Sequence, residues 1–333
     1  MKQAAWIALL FVVTLGVALW ALGVFRKPDE TPITPAPAVA PPTPPPTDLA
    51  AADVEPKSEP TPEIPEFAQP VRVLLLGDTH RSFTAWLEQL WDFVPQGVHW
   101  QAWYAQPAPE GVRTHVEQLP ALDHAPTAPD LEAVGVLVVA GVDPAALSPE
   151  FWQRVADRVK SGSLGVLVCA ENRFAAATAA EPSLASILPV KDVKGAVPSS
   201  PGSRDLAGVF PSAVPLRATD AGVKHPATRL VPMPGWSRKM WDQQAMRGSE
   251  GAWETKFCAQ VDAVVPGASV LVEADAGAHR WPAVVAHDSP TRRVMWVGGF
   301  FDVGDPAYRG SKSIERFRAM CISWVAFLAG TRS

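Results

Sequence analysis

The sequence predicts an α/β fold: a mainly parallel sheet flanked by helices, with a β-rich second half and one transmembrane helix ahead of it. Three observations carry this prediction. Short, uninterrupted apolar runs such as VRVLLLG (71–77) and AVGVLVVAGVD (133–143) have the make-up of strands buried on both faces. Amphipathic stretches lie between them, and strand–helix alternation of that kind builds right-handed parallel units. The run AAWIALLFVVTLGVALWALGVF, Ala4 to Phe25, carries no charge over 22 residues and is long enough to cross a bilayer as a helix.

Taken in chain order, the apolar run comes first. Trp6 and Trp20 lie towards its ends, where interfacial indoles are favoured. It is longer than the apolar region of a cleaved signal peptide, and ALWALGVFRK makes a poor cleavage site, so residues 1–27 are expected to be an uncleaved anchor. Lys2 and the amino terminus on one side and Arg26 and Lys27 on the other nearly balance. The common arrangement of such anchors then sets the expectation: a single pass through the inner (cytoplasmic) membrane, with the rest of the chain on the extracytoplasmic, periplasmic side. Residues 28–69 follow as a Pro-rich linker; 14 prolines fall between positions 28 and 70. A segment such as PAPAVAPPTPPPTD forms neither helix nor central strand and has too little apolar surface to offset its ordering entropy. Residues 28–65 are expected to be extended or disordered, without contacts to the domain. At about 3.1 Å per residue the linker reaches on the order of 100 Å.

The folded domain is expected over residues 70–330. After the first strand, SFTAWLEQLWDFV places Phe83, Leu87, Leu90 and Trp91 on one helical face. VHWQAWYA is a second strand and AVGVLVVAGVD a third. LSPEFWQRVADRVKSG carries full helix punctuation: Ser148 as N-cap, Pro149 at the first position, Glu150 in the first turn and Gly162 as the stop. LGVLVCAENR is the next strand and PSLASILPV a short helix. Residues 191–212 are expected to be loop. SVLVEAD, WPAVVAHD and RVMWVGGFF are expected strands, and SKSIERFRAMCISWVAFLAG closes the chain as a helix whose apolar residues repeat at helical spacing.

Composition narrows the chemistry. The net charge of −5 gives no electrostatic footprint for nucleic acid, so none is expected as a partner. Three cysteines, Cys169, Cys258 and Cys321, form no CxxC or Cys/His cluster, which argues against a zinc site or a disulfide framework. The stretch GDTH (77–80) resembles the opening of the two-metal site of calcineurin-like metallophosphoesterases. Two metals need a bridging carboxylate and several further His or Asn ligands. The GDxxD, GNH[DE] and GHxH stretches that supply them in that family do not occur, and the remaining histidines are scattered. No metal and no cofactor are expected. Asp78, Thr79 or Ser82 is then a helix cap.

A second resemblance covers roughly residues 70–330. The succession VLLLGDTHRSFTAWLEQLW, LEAVGVLVVAGVDPAALSPEFWQRVADRVKSGSLGVLVCAENRF, PSLASILPV and RVMWVGGFFDVGDPAYRGSKSIERFRAMCISWVAFLAG resembles the class I glutamine amidotransferase-like domains of bacterial membrane proteins. The resemblance implies a flavodoxin-like sheet. Active glutaminases of that superfamily carry a G-x-C-x-G elbow and a later His-x-Glu. Here the matching turn is GVLVCAENR, where Ala170 takes the elbow position, and no His-x-Glu follows. A one-residue offset on a strand turns the Cys169 side chain to the opposite face. Cys169 is therefore expected to be a buried, inert thiol, and no catalytic residue is assigned.

Ligands of open α/β sheets bind beyond the carboxyl ends of the strands. The residues expected there are Asp78 and His80, Asp143, Glu171, Asn172 and Arg173, and Asp302, Asp305 and Arg309: a candidate cleft of mixed charge. The stretch MPGWSRKMW adds Trp236, Arg238, Lys239 and Trp241, either as a recognition loop or as a Trp-anchored lid on the core. Two functions follow from these residues. One is a membrane-tethered, non-catalytic binding or assembly module with a protein partner in the cell envelope, held to the membrane through residues 4–25. The other is a metal- or carboxylate-assisted hydrolase using Asp78, His80 and Asp302.

Overall fold

The computed structural model describes residues 58–77, 97–106, 122–170, 174–194, 209–245, 253–277, 279–289, 291–299 and 312–330. The run Ala4 to Phe25, most of the Pro-rich linker and the helix expected at 82–94 lie outside these residues. No helix among the described residues is long and apolar enough to cross a membrane. The chain divides into Met1–Glu55 and Pro56–Ser333, and the architecture below is that of the second unit.

Its centre is a mixed sheet of nine strands in the order β2-β1-β3-β4-β11-β10-β9-β6-β7. The first five are β2 (Val98–Tyr104), β1 (Val71–Gly77), β3 (Val136–Ala140), β4 (Gly165–Cys169) and β11 (Arg292–Val297). All four pairings among them are parallel. Beyond β11 every pairing is antiparallel, through β10 (Arg280–Ser289), β9 (Ala268–Asp275), β6 (Val209–Ala218) and β7 (Glu254–Phe257). The sheet is thus parallel in one half only, a correction to the mainly parallel expectation. The β-rich return extends the same sheet. Short turns link β9, β10 and β11, and antiparallel neighbours need no crossover helix.

Side chains alternate between two cores. Leu74, Leu76, Leu137, Val139, Val166, Val168 and Trp296 share one with Phe151, Trp152, Val155 and Val159 of helix α1 (Pro149–Lys160). Val73, Leu75, Val136, Val138, Leu167, Met295 and Val297 share the other with Phe317, Met320, Trp324 and Leu328 of the closing helix. Burying each such side chain contributes about 1.5–3 kcal/mol. Helix α1 starts as its sequence predicts: the Ser148 hydroxyl accepts from the Phe151 N–H at 3.2 Å, and Gly162 ends it at φ 75°. Two short helices, α2 (Ala175–Ala180) and α3 (Pro182–Ala185), lie on the α1 side. Helix α4 (Pro234–Gln244) and helix α5 (Lys312–Ala329) share the other core.

Helix α5 runs antiparallel to β4 and β11. Near its start, the Ser313 hydroxyl accepts from the Trp253 indole at 2.9 Å. At its end, the Arg293 guanidinium donates to the Leu328 carbonyl at 2.8 Å and to the Gly162 carbonyl at 2.7 Å, tying both helical layers to the amino edge of the sheet.

Three expectations change. The supposed loop at 191–212 contributes β5 (Val190–Lys194) and the start of β6. Strand β5 pairs with β8 (Gln260–Val264) as a separate two-stranded ribbon. Its polar residues Lys191, Asp192 and Lys194 hide it from an apolar-run criterion. MPGWSRKMW is not a loop: most of it forms α4, with Pro234 at the first turn. The third change concerns the linker. Residues 58–69 lie against the domain. Glu59 accepts from the Lys312 ammonium at 2.9 Å and pairs with the Arg316 guanidinium, while Phe67 packs on the core. The contact-free expectation therefore fails for residues 58–65.

Two glycines give opposite predictions. A Cβ at Gly165 would stand 2.2 Å from the Leu328 carbonyl oxygen, whereas a Cβ at Gly235 meets nothing within 4 Å. Gly165→Ala is expected to destabilise the domain by about 1–3 kcal/mol through overpacking. Gly235→Ala is expected to stabilise it by about 0.5–1 kcal/mol through the unfolded chain. Urea denaturation of both variants checks the signs.

Candidate functional site

The carboxyl ends of the five parallel strands fall on one line. Register pairs Tyr104 with Gly77, Gly77 with Ala140, Ala140 with Cys169 and Cys169 with Val297. Segments leaving these strands start from a common edge, as the parallel pairing requires. Of the candidate cleft, Asp143 is described. Asp78, His80, Glu171, Asn172, Arg173, Asp302, Asp305 and Arg309 lie outside the described residues.

Asp143 sits in the turn after β3. Gly141, at φ 77°, turns the chain, and Val142 is buried behind it. The Asp143 carboxylate accepts from the Ala145 N–H at 3.0 Å and caps a 3-10 turn, Pro144–Ala146. Beside it lies an open cavity of about 420 Å³ lined by Asp143, Pro144, Leu147, Trp152, Ala177 and Glu181. Both carboxylates on this cavity serve the backbone. Asp143 holds its turn, and Glu181 accepts from the Leu184 N–H at 2.7 Å to start α3. The Trp152 indole donates to the Pro144 carbonyl at 2.9 Å, so the aromatic wall is fixed in place. The result is a shallow apolar recess with two acidic caps.

Cys169 and Ala170 face opposite ways, as the one-residue offset predicts. Cys169 is buried in the core shared with α5, and Ala170 in the core shared with α1. The Ala170 N–H donates to the Val297 carbonyl at 2.7 Å, so pairing with β11 continues past Cys169 and the chain does not turn there. No disulfide joins the three cysteines, all of which are buried. Burial pushes the Cys258 thiol up to about 12 and the Cys321 thiol well above its usual range. The thiolate is the nucleophilic form, and these sites disfavour it.

Tyr104 is a residue the sequence did not single out. It ends β2 on the same line as Gly77 and Cys169, and its hydroxyl is buried without a hydrogen-bond partner among the described residues. Burial raises its phenol to about 12. The only sequence signal for it is its place as the last residue of an edge strand. Among the described residues no group of three or more His, Cys, Asp or Glu side chains has the proximity to hold a metal ion.

Of the second candidate group, Trp241 and Arg238 bond within the fold. Trp241 is fully buried; its indole donates to the Thr228 carbonyl at 2.9 Å, and its ring meets Trp253 edge-on with centroids 4.7 Å apart. Arg238 donates to the Ala218 carbonyl at 2.5 Å and pairs with Asp220 at 2.6 Å. Lys239 stands 4.2 Å from the centroid of the half-buried Trp236 ring. Trp241 and Arg238 thus fasten α4 to the sheet, leaving Trp236 and Lys239 at its surface.

Two measurements check these environments. Of the chain's two tyrosines, Tyr104 is expected to ionise near pH 12 in a 295 nm titration of the folded protein. The unfolded phenol ionises near 10, so stability is expected to fall as pH rises from 10 to 12, where only the unfolded state loses the proton. Native alkylation with a maleimide is expected to modify none of Cys169, Cys258 and Cys321 on the timescale that modifies all three in denaturant.

No family model matches the chain, and no curated protein matches it. Among solved structures it is similar to the crystal structure of the carbohydrate deacetylase Agd3, at 12% identity and a TM-score of 0.38. The match covers 76% of this chain, and the chain spans about a third of that protein's length, 32%.

Proposed function

We propose that the chain is a membrane-anchored, non-catalytic amidotransferase-like domain that binds a protein partner in the cell envelope, with its folded unit on the extracytoplasmic side. The observation that carries this reading is the end of β4. The position at which a glutaminase of the resembled superfamily presents its nucleophile holds Ala170, and the neighbouring thiol points into the opposite core. A strand order of β2-β1-β3-β4-β11 agrees with the doubly wound, flavodoxin-like order that the resemblance implies. The antiparallel strands are then an extension added beyond the fifth position. Such a fold hosts many functions, so the argument rests on the site. The edge that would carry a ligand has a recess whose described carboxylates serve backbone caps, which suits recognition of a partner surface better than acid–base chemistry.

Anchoring rests on Ala4 to Phe25, whose length and lack of charge suit a bilayer. The full chain is expected to stay with the membrane under alkaline carbonate, and a chain lacking residues 1–27 is expected to be released. Crosslinking and pull-down from native membranes are expected to recover a stoichiometric protein partner. The same preparation, purified without chelator, is expected to show no glutaminase, amidase or phosphatase turnover. Stoichiometric Mn, Fe or Zn, lost in Asp78→Ala, would replace this reading with a metal-assisted hydrolase.

A further inference from the structure

Residues 58–69 have the composition of the tether but the contacts of the fold. They are neither helix nor strand, yet they meet the domain at three places. At the first turn, the Glu59 carboxylate pairs with Lys312 and with Arg316, whose side chain is 4% exposed. Arg316 also donates to the Gln243 side chain of α4 at 3.1 Å. Midway, Glu63 and Pro65 border a small open recess together with Pro226, Leu230 and Ser323. At the far end, Phe67 packs on the core beside Gly97, and the Val71 N–H donates to the Gly97 carbonyl at 2.7 Å, where β1 and β2 begin. The lengths agree. Eleven extended residues span roughly 34 Å, and the 18 residues of α5 span roughly 27 Å.

Direction is fixed by the sheet. Leu328, near the end of α5, lies against Gly165, the first residue of β4, so that end of the helix marks the amino edge. Ser313 bonds the Trp253 indole. Trp253 in turn joins the sheet through Leu216, which pairs with Ala274, the partner of Trp281. That row meets the end of β11, where the Gly298 N–H donates to the Ala283 carbonyl at 2.8 Å. The start of α5 therefore marks the carboxyl edge. A chain entering directly at Val71 would join the domain at the amino edge.

We propose that residues 59–69 are a strap, part of the folded unit, that carries the attachment point of the preceding chain from the amino edge of the sheet to the carboxyl edge, with the Glu59–Arg316 pair as its clamp. Ser58, where the described chain begins, thereby stands towards the carboxyl edge of the sheet. The clamp joins one carboxylate to two cations, of which Arg316 is buried and also bonds the Gln243 side chain. The acidic neighbours of the strap reinforce the pattern: Glu59 finds two cations, while Glu63 and Glu66 stay exposed. The inference concerns Pro56–Ser333 itself and stands whether or not the domain is catalytic.

Spin-label distance measurements on the full-length chain in nanodiscs test it. Labels enter by Ser58→Cys, paired in turn with Ala146→Cys at the carboxyl edge and Lys160→Cys at the amino edge; both partner sites are exposed on the α1 side. The strap predicts two narrow distributions, with position 58 nearer to 146 than to 160. Adding Glu59→Lys is expected to broaden both at least twofold in width, while a 146–160 control pair stays narrow and shows the fold intact. Broad or reversed distances in the otherwise native chain would overturn the strap. Unchanged distances in the Glu59→Lys chain would overturn the clamp. Should the control pair broaden in that variant, Glu59→Gln, which removes the charge alone, decides on the same two criteria.

Discussion

Strands with no face to water set the terms for the rest of this molecule. Every residue of β3 and β4 is buried, and β1 and β11 are buried over most of their length. Such strands satisfy their backbone groups in the ladder but need a full apolar layer on each side. Helices α1 to α3 supply one layer, and α4 and α5 the other. Close cover in turn requires absent side chains. Gly165 lets the last turn of α5 sit on the sheet backbone, and Arg293 uses the same place to bond carbonyls from both helical layers. The strap continues this logic, since it covers a side of α5 that the sheet cannot reach.

What the sequence made legible was what burial writes locally. The apolar runs of β1, β3, β4 and β11 and the capping residues of α1 carry their signals within a few positions. The Cys169–Ala170 offset was legible for the same reason, because period-two alternation fixes which of two neighbours faces which core. Strands β5 and β8 were missed because their ribbon is half-exposed, and Lys191, Asp192 and Asp262 give no apolar run. The strap was missed because its prolines describe a linker by composition, while its hold on the domain comes from Arg316, 257 positions away. No local pattern announces an ion pair across that separation. In the candidate site, topology located the edge; the role of Asp143 as a cap depended on the turn that Gly141 and Pro144 create.

The recess at Asp143 and the helix at Trp241 share a trait. In each, groups that look like recognition chemistry in the sequence are bound to the backbone in the fold. Asp143, Glu181, Arg238 and the Trp241 indole all hold main-chain groups. Buried or half-buried turns need such partners, since an unpaired backbone group away from water costs about 1–3 kcal/mol. Polar residues that cluster at strand ends therefore answer first to the loops that carry them.

The place of β11 bears on how the chain assembles as it is made. Its register sets Val166 against Val294, 128 positions apart. The parallel strands from β2 to β4 and the antiparallel strands from β10 to β7 meet only through it. Until residues 292–297 leave the ribosome, β4 and β10 each present an unpaired edge, and closing so long a loop is slow. Without β11 the sheet falls into two halves, each with an open edge of the kind that invites aggregation. Those margins close only when β11 enters between β4 and β10 and α5 covers it.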